Sequence, residues 1–292
     1  MHLKYVDPPN YTLYSSKIKI CLMIKNMKFQ LSVLIMSSVC LAACQPKDPP
    51  VNAPVESKSN SSVTETSLPL IHATTQQVAL AKSEACQPAE SADDFATCSK
   101  YHVQTIQSNV KWIDDYFMQR LKADYVEAFD ATPSAKVTLD PEMPSINYAT
   151  ASVRFAGQHY HLANFEYFSD YFPVGAAHGM HHSDYVVFDL KSKQRLKLND
   201  ILLPASKEKL KAELYSYNSR WLEDHQISEQ QLELSENFYY GSNGIVFVYP
   251  LYELASYAEG ISELELPYWA AKEFIKAEYL PQLPESSEDL YQ

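Results

Sequence analysis

Glycine is scarce in this chain: only six of its 292 residues are glycine, and all six fall between Gly157 and Gly260. The sequence therefore has no glycine-rich loop that could hold a phosphate, and no Gly-x-Ser-x-Gly turn that could present a serine nucleophile. The His-Glu-x-x-His zinc motif is also absent, and the scattered carboxylates do not single out a glycosidase pair. These absences predict that the protein is not an enzyme and uses no cofactor.

Basic residues are also few: Lys and Arg number 24 against 36 Asp and Glu, which gives a formal net charge of −12. Such an acidic protein repels nucleic acid and anionic lipid, whereas it attracts a cationic protein. The charge therefore predicts no nucleic-acid partner. A simpler interpretation stays open, in which the charge only keeps the protein soluble.

No apolar run is long enough to cross a membrane. The apolar stretch at residues 31–41 has roughly half of the about 20 residues that a transmembrane helix needs. It follows two lysines and ends in Leu41-Ala42-Ala43-Cys44, so it has a basic n-region, a short h-region and a lipobox. The pattern predicts that residues 1–43 are a signal peptide, with the true start at Met23 or Met27, and that Cys44 is lipidated.

A lipid on Cys44 would anchor the protein to a membrane, because each buried methylene of an acyl chain contributes about 0.8 kcal/mol. The next residue is Gln45 rather than Asp, which is typical of lipoproteins sorted to the outer membrane. Residues 44–70 are rich in proline, serine and threonine and predict a disordered linker. Removal of residues 1–43 takes away five lysines and one aspartate, so the part predicted to face the periplasm has a charge of −16.

Cysteine is the third scarce residue. Of the five cysteines, three follow residue 43, namely Cys44, Cys86 and Cys98. An oxidising periplasm favours a disulfide between Cys86 and Cys98, which would contribute about 3 kcal/mol by the loop-entropy argument. A redox-active pair is the alternative, although the spacing is not Cys-x-x-Cys.

Hydrophobic periodicity predicts an α+β fold with a mostly antiparallel sheet and about three helices. We expect an N-terminal α+β unit at residues 71–165, a C-terminal domain at 166–280 and an acidic tail at 281–292, in a monomeric protein. The predicted strands are residues 77–82, 97–107, 148–155, 158–168, 185–190, 238–240, 245–249 and 261–266, and the predicted helices are 110–129, 206–225 and one that starts near Pro267.

Four blocks of the C-terminal half resemble the RsiV-like family of extracytoplasmic domains. They are Tyr171-Phe-Pro-Val-Gly-Ala-Ala-His178, residues 187–201, Gly244-Ile-Val-Phe-Val-Tyr249 with Tyr257-Ala-Glu-Gly260, and Leu264-Glu-Leu-Pro-Tyr268. The resemblance implies a binding module of the cell envelope, with lysozyme or peptidoglycan as ligand. The chain departs from the family at Lys193, where a turn glycine is usual, and it has neither the sigma-binding region nor the deacetylase domain found beside this module.

Histidines form the most suggestive group of ligating side chains. His178 and His181 lie close together in the sequence, and His159 and His161 share one face of a neighbouring predicted strand. Converging imidazoles could hold zinc, which makes a zinc-dependent envelope hydrolase the alternative function. His178 has two further interpretations, as a hydrogen-bonding residue of a turn and as a pH-sensitive contact.

Aromatic residues lie beside acidic ones at 167–172 and 249–259, as they do in many protein interfaces. Both segments could equally serve packing, and a structural lipoprotein without a soluble ligand is the third hypothesis. The candidate acids for contact with a cationic lysozyme are Asp170, Asp184, Glu253 and Glu259, and the candidate binding residues are Tyr171, His178, Tyr252, Glu253 and Tyr257.

Lipidation can be tested by growing cells with an alkyne fatty acid and detecting the label on the full-length protein. We expect the label and the membrane location to be lost with Cys44→Ser, because no other thiol follows a lipobox. Cys40→Ser is the matched control, since it removes a cysteine four residues earlier and should leave the label in place. A label that survives Cys44→Ser would contradict the prediction.

Overall fold

The computed structural model of the chain describes residues 68–91 and 94–281. The predicted signal peptide, Cys44, most of the predicted linker and nearly all of the acidic tail lie outside these residues. Within them the chain forms two β-sheets and six α-helices. No helix in this part has the length and apolar character needed to cross a membrane.

The larger sheet has seven strands in the order β1-β3-β4-β5-β6-β7, and β2 pairs with the start of β3. Strands β3 and β4 run parallel, and all other neighbours are antiparallel. Its strands are β1 (Ala73–Gln77), β2 (Glu84–Gln87), β3 (Thr97–Ser108), β4 (Ile146–His159), β5 (Leu162–Phe172), β6 (Met180–Asp189) and β7 (Gln194–Leu196).

Strand β5 is buried on both faces from Leu162 to Tyr167. Side chains alternate along a strand, so Ala163, Phe165 and Tyr167 enter one core while Leu162 and Asn164 point to the opposite face. The sequence prediction of a strand at 77–82 was wrong. The edge strand is the polar segment Ala73–Gln77, whose exposed side chains carry no hydrophobic signal.

The first core lies between the seven-stranded sheet and helix α1 (Lys111–Asp124). The buried helix residues Ile113, Phe117 and Leu121 recur at intervals of four, and the ring of Phe117 contacts Phe165 and Phe188 of the sheet. The single helix predicted at 110–129 is interrupted at Tyr125, and the short helix α2 (Val126–Phe129) follows.

The second core lies under a three-stranded sheet of β8 (Phe238–Tyr240), β9 (Gly244–Tyr249) and β10 (Ser262–Pro267), in the order β10-β9-β8. The helix predicted at 206–225 is interrupted at Asn218, whose side-chain amide donates to the Leu214 carbonyl and competes with the helix. The helices of this part are α3 (Leu198–Ile201), α4 (Lys207–Tyr217), α5 (Ser219–Asp224) and α6 (Tyr268–Ala271).

Two asparagine side chains join the sheets by imitating a peptide group. The Asn164 amide of β5 donates to the Tyr240 carbonyl and accepts from the Tyr240 N–H, both at 3.1 Å. Asn237, just before β8, accepts from the Tyr185 N–H and donates to the Ser183 carbonyl of β6, both at 2.8 Å. The backbone edges of β6 and β8 are thereby satisfied without a continuous ladder.

The predicted α+β class with a mostly antiparallel sheet is confirmed. Three predicted helices correspond to five observed ones, because two of them are interrupted, and α3 was not foreseen. Cys86 and Cys98 lie directly opposite each other on β2 and β3 and form a disulfide, with their Cα atoms 4.0 Å apart. The domain boundary expected after residue 165 falls inside β5, and strands from both expected parts pair in one sheet.

The asparagine junction can be tested with Asn164→Ala. Removal of the amide leaves the buried N–H and carbonyl of Tyr240 without partners, so we expect a loss of about 2–4 kcal/mol in the free energy of unfolding, measured with urea. Asn109→Ala is the control, because Asn109 bonds the His72 N–H and the Leu70 carbonyl in the same way at an exposed site. Equal losses in the two variants would contradict the role of burial.

Candidate functional site

Two loops meet where β5 ends and β6 begins. One connects β5 to β6 and contains His178, and the other connects β9 to β10 and contains Tyr252 and Tyr257. The rings of these residues contact one another and two strand residues, Phe168 and His181. We call these five residues the aromatic cluster.

His178 is the centre of the aromatic cluster. Its imidazole stacks on the Tyr257 ring with a centroid distance of 3.8 Å, and the Tyr257 hydroxyl donates to the Gly179 carbonyl at 3.0 Å. His178 Nδ1 lies 3.0 Å from that same carbonyl, which can only accept, so Nδ1 carries the proton. Nε2 is then the acceptor for the Tyr252 hydroxyl at 3.2 Å. The turn hydrogen bond of His178 therefore favours the tautomer in which Nε2 accepts from Tyr252.

Strands β5 and β6 contribute two partly buried aromatic rings, Phe168 and His181, and the carboxylate of Asp170. Phe168 stacks on His181 at a centroid distance of 6.2 Å, and His181 meets the edge of Tyr257 at 6.1 Å. Asp170 lies directly opposite His181 in the antiparallel register. A Cβ on Gly179 would come within 3.0 Å of the Asp170 carboxylate, so a glycine is suited to this close approach.

Tyr252 presents its ring from an unfavourable backbone conformation. Its φ of +68° lies in the left-handed region, which residues other than glycine rarely adopt, and the residue is 55% exposed. Such strain persists only where surrounding contacts enforce it, and it is concentrated at functional sites. The next residue is the carboxylate Glu253, whose pKa is raised by partial burial.

A histidine and a glutamate anchor the second loop to helix α5. His225 Nε2 lies 2.5 Å from the Glu259 carboxylate, while Nδ1 lies 2.7 Å from the Trp221 carbonyl. Both ring nitrogens thus face acceptors, which favours the doubly protonated imidazolium. The bond to Glu259 is the main cause of a raised pKa at His225, and the same bond lowers the pKa of Glu259. Ser256 donates a further hydrogen bond to Glu259 at 2.9 Å.

The four histidines proposed for zinc do not converge. His159 and His161 flank one end of β5, and His181 pairs with Asp170 near the other end, about 26 Å away at 3.3 Å per residue. Burial, in part beside the Tyr279 ring, lowers the pKa of His161. In the part of the chain that the structure describes, three ligating side chains meet only at Glu84, Cys86 and Cys98, and the two cysteines are joined in the disulfide.

Two other candidate residues, Tyr171 and Asp184, do not contribute to the cluster, and one residue of the site was not predicted. Tyr171 is three residues from Phe168 along β5 and therefore points to the opposite face, away from the cluster. Asp184 is paired with Arg120 and Arg195, so its charge is already neutralised within the protein. His225 was not predicted as a site residue, because no local pattern links it to Glu259, 34 positions later.

One family model, whose family has no assigned function, matches part of the chain. Residues 189–269 match the family model described as "Protein of unknown function (DUF3298)", a stretch that includes Tyr252 and Tyr257 but not His178. None of the curated proteins matches the chain.

Solved structures of DUF3298 family proteins are similar to the described part of the chain. One, from Pseudomonas aeruginosa PAO1, has 19% identity and a TM-score of 0.49, and the match covers 72% of this chain and 97% of that one. Another, from Bacteroides fragilis NCTC 9343, has 17% identity and a TM-score of 0.46, with 72% and 96% covered.

The anchor of the second loop can be tested by NMR titration of His225. A raised pKa means that the bond to Glu259 stabilises the loop fully below the ordinary histidine pKa and loses this effect as pH rises through the raised value. Acid weakens the same bond only when pH falls through the lowered pKa of Glu259. We expect Glu259→Gln to shift the His225 pKa down towards its ordinary value.

Glu263→Gln is the control for this titration, because Glu263 lies on the neighbouring strand β10 and bonds Tyr239 instead of His225. It should leave the His225 titration unchanged. An identical His225 titration in the Glu259→Gln variant and the unmodified protein would contradict the anchoring role.

Proposed function

We propose that this chain is a lipid-anchored periplasmic binding protein of the cell envelope, and that its aromatic cluster binds a lysozyme-type muramidase. The observation that carries the proposal is the ring of Tyr252, which is exposed, held on strained backbone and supported from behind by the stack of His178 on Tyr257. A rigid exposed aromatic surrounded by polar groups is the usual form of an interface hot spot.

The resemblance to the RsiV-like family supports the choice of ligand. Two of the similar blocks, Tyr171–His178 and Tyr257–Gly260, are separated by about eighty residues in the chain and meet in this cluster through the His178–Tyr257 stack. Parts of the chain that carry the resemblance thus lie together in the fold.

Charge supports a cationic partner. Asp170 and Glu253 lie at the cluster, and neither forms an ion pair with any residue in the described ranges. Two unpaired carboxylates beside an aromatic surface attract a basic protein, and the charge of −16 predicted for the periplasmic part adds a long-range attraction. Lysozymes of the c type are strongly basic, whereas peptidoglycan offers no comparable excess of positive charge.

Anchorage to the outer membrane through Cys44 is the remaining part of the proposal. It is supported by the lipobox, by Gln45 and by the short apolar stretch before them. A lipoprotein held there would meet a muramidase before the enzyme reached the cell wall. The proposed binding would therefore inhibit the muramidase or signal its presence at the outer membrane, before the cell wall is cut.

The proposal is tested by calorimetry of the chain from Gln45 onward with a c-type lysozyme, at low and at physiological salt. This form keeps both cores, which lie between Ile71 and Ile275. We expect binding that weakens with salt and becomes about tenfold or more weaker with Tyr252→Ala, because the central aromatic of an interface carries much of its energy.

Tyr160→Ala is the matched control, since Tyr160 is also exposed and has a φ of +53°, but lies at the opposite end of β5. It should bind as the unmodified chain does. A parallel assay of cell-wall lysis separates an inhibitor from a sensor or scaffold. Absence of heat at both salt concentrations would remove lysozyme as the ligand.

A further inference from the structure

A second surface feature lies at the other end of β9 from the aromatic cluster. It is an open cleft of about 780 Å³ between the end of α4, the turn before β9 and the start of α6. The residues that line it include Tyr217, Ser242, Asn243, Glu265, Pro267 and Trp269. Gly244 begins β9 and Tyr249 ends it, so about 17 Å of strand separates this cleft from the loop of the aromatic cluster.

The wall made by the turn at residues 241–244 is held rigidly. The Tyr268 hydroxyl donates to the Gly241 carbonyl at 2.6 Å, and the Tyr268 N–H donates to the Asn243 carbonyl at 3.0 Å. At Gly244 the turn lies so close to β10 that a Cβ would be 2.3 Å from the Leu266 carbonyl oxygen. The turn is therefore held close to β10, and only a glycine at position 244 allows this close approach.

The opposite wall is fixed by Asn218. Its side-chain amide donates to the Glu265 carbonyl of β10 at 3.1 Å and to the Leu214 carbonyl of α4 at 2.8 Å. The end of α4, which carries Tyr217, is thereby tied to the strand that borders the cleft. Both walls are preorganised, so a ligand would not have to order them.

Two large aromatic rings form a corner at the mouth of the cleft. Trp269 is 58% exposed and Tyr217 is 48% exposed, and their rings stand 5.9 Å apart at an angle of 65°. Large aromatic side chains normally bury most of their surface in a core or an interface. Here two of them, on separate helices, leave ring surface open to solvent beside a polar cleft.

Polar groups without partners lie next to this corner. In the described ranges, the side chains of Ser242 and Asn243 form no hydrogen bond, and the Glu265 carboxylate forms neither a hydrogen bond nor an ion pair. An amide, a hydroxyl and a carboxylate supply both donors and acceptors for a ligand. The cleft thus combines aromatic faces with a small number of convergent polar groups, as binding sites for small polar ligands do.

We propose that this cleft binds a neutral oligosaccharide. A pyranose ring has an apolar face of C–H groups that can lie on Trp269 or Tyr217, and its hydroxyl groups can pair with Asn243, Ser242 and Glu265. An open cleft suits a segment of a longer chain, whereas a small cofactor would be enclosed. The Glu265 carboxylate and the acidic character of the whole protein oppose an anionic sugar.

The test is calorimetric and fluorescence titration of the chain from Gln45 onward with chitotriose and with cellotriose, up to about 10 mM. The two probes distinguish an N-acetylated amino sugar from a glucose polymer, and binding of either one supports the proposal. We expect Trp269→Ala to weaken binding about tenfold or more and Asn243→Ala to weaken it about threefold to tenfold. Trp269→Phe keeps an aromatic face and should retain most of the affinity.

Tyr160→Ala serves again as the control for loss of an exposed aromatic, and it should leave sugar binding unchanged. A thermal melt of each variant shows that it is folded. Absence of binding to both sugars, or equal binding by Trp269→Ala and the unmodified chain, would overturn the proposal. Because lysozyme binding is measured with Tyr252→Ala, failure at one site leaves the other result intact.

Discussion

The structure depends on how the polar backbone edges of two sheets are satisfied where the sheets meet. Buried N–H and carbonyl groups cost about 1–3 kcal/mol each when they lack a partner. The amides of Asn164 and Asn237 supply those partners, one from each side of the junction, and so allow β8 to lie against β5 and β6 without a shared ladder. The placement of β8 fixes that of β9, and β9 holds one proposed binding site at each of its ends.

Both sites follow the same physical logic. In each of them a glycine allows the backbone to approach a neighbouring group closely, and a tyrosine hydroxyl donates to a carbonyl of the same turn. Tyr257 bonds the Gly179 carbonyl at one site, and Tyr268 bonds the Gly241 carbonyl at the other. The abundance of tyrosine, 21 residues, thus has a structural use, because its ring packs while its hydroxyl fixes a turn.

Hydrophobic periodicity was sufficient to predict the α+β class and most strands, since β4 and α1 bury regular stripes. It failed where a polar side chain changes the backbone, as at Asn218, whose amide bonds the Leu214 carbonyl of α4 and the Glu265 carbonyl of β10 where α4 ends. The sequence also placed His178, Tyr252 and Tyr257 among the candidates, but it could not show that Tyr171 faces away from them. The prediction that the four histidines converge relied on their proximity in the chain, but the length of β5 separates His159 and His161 from His181. The contact of His225 with Glu259 depends on tertiary packing, so no local sequence pattern could predict it.

Strand β5 has a consequence for how the molecule unfolds. Its residues Phe165 and Leu162 belong to different cores, and Asn164 between them carries the junction of the two sheets. Loss of order in this single strand would open both cores at once. The described part of the chain should therefore melt as one cooperative unit, and neither half would survive as an independent domain if the chain were divided at this strand.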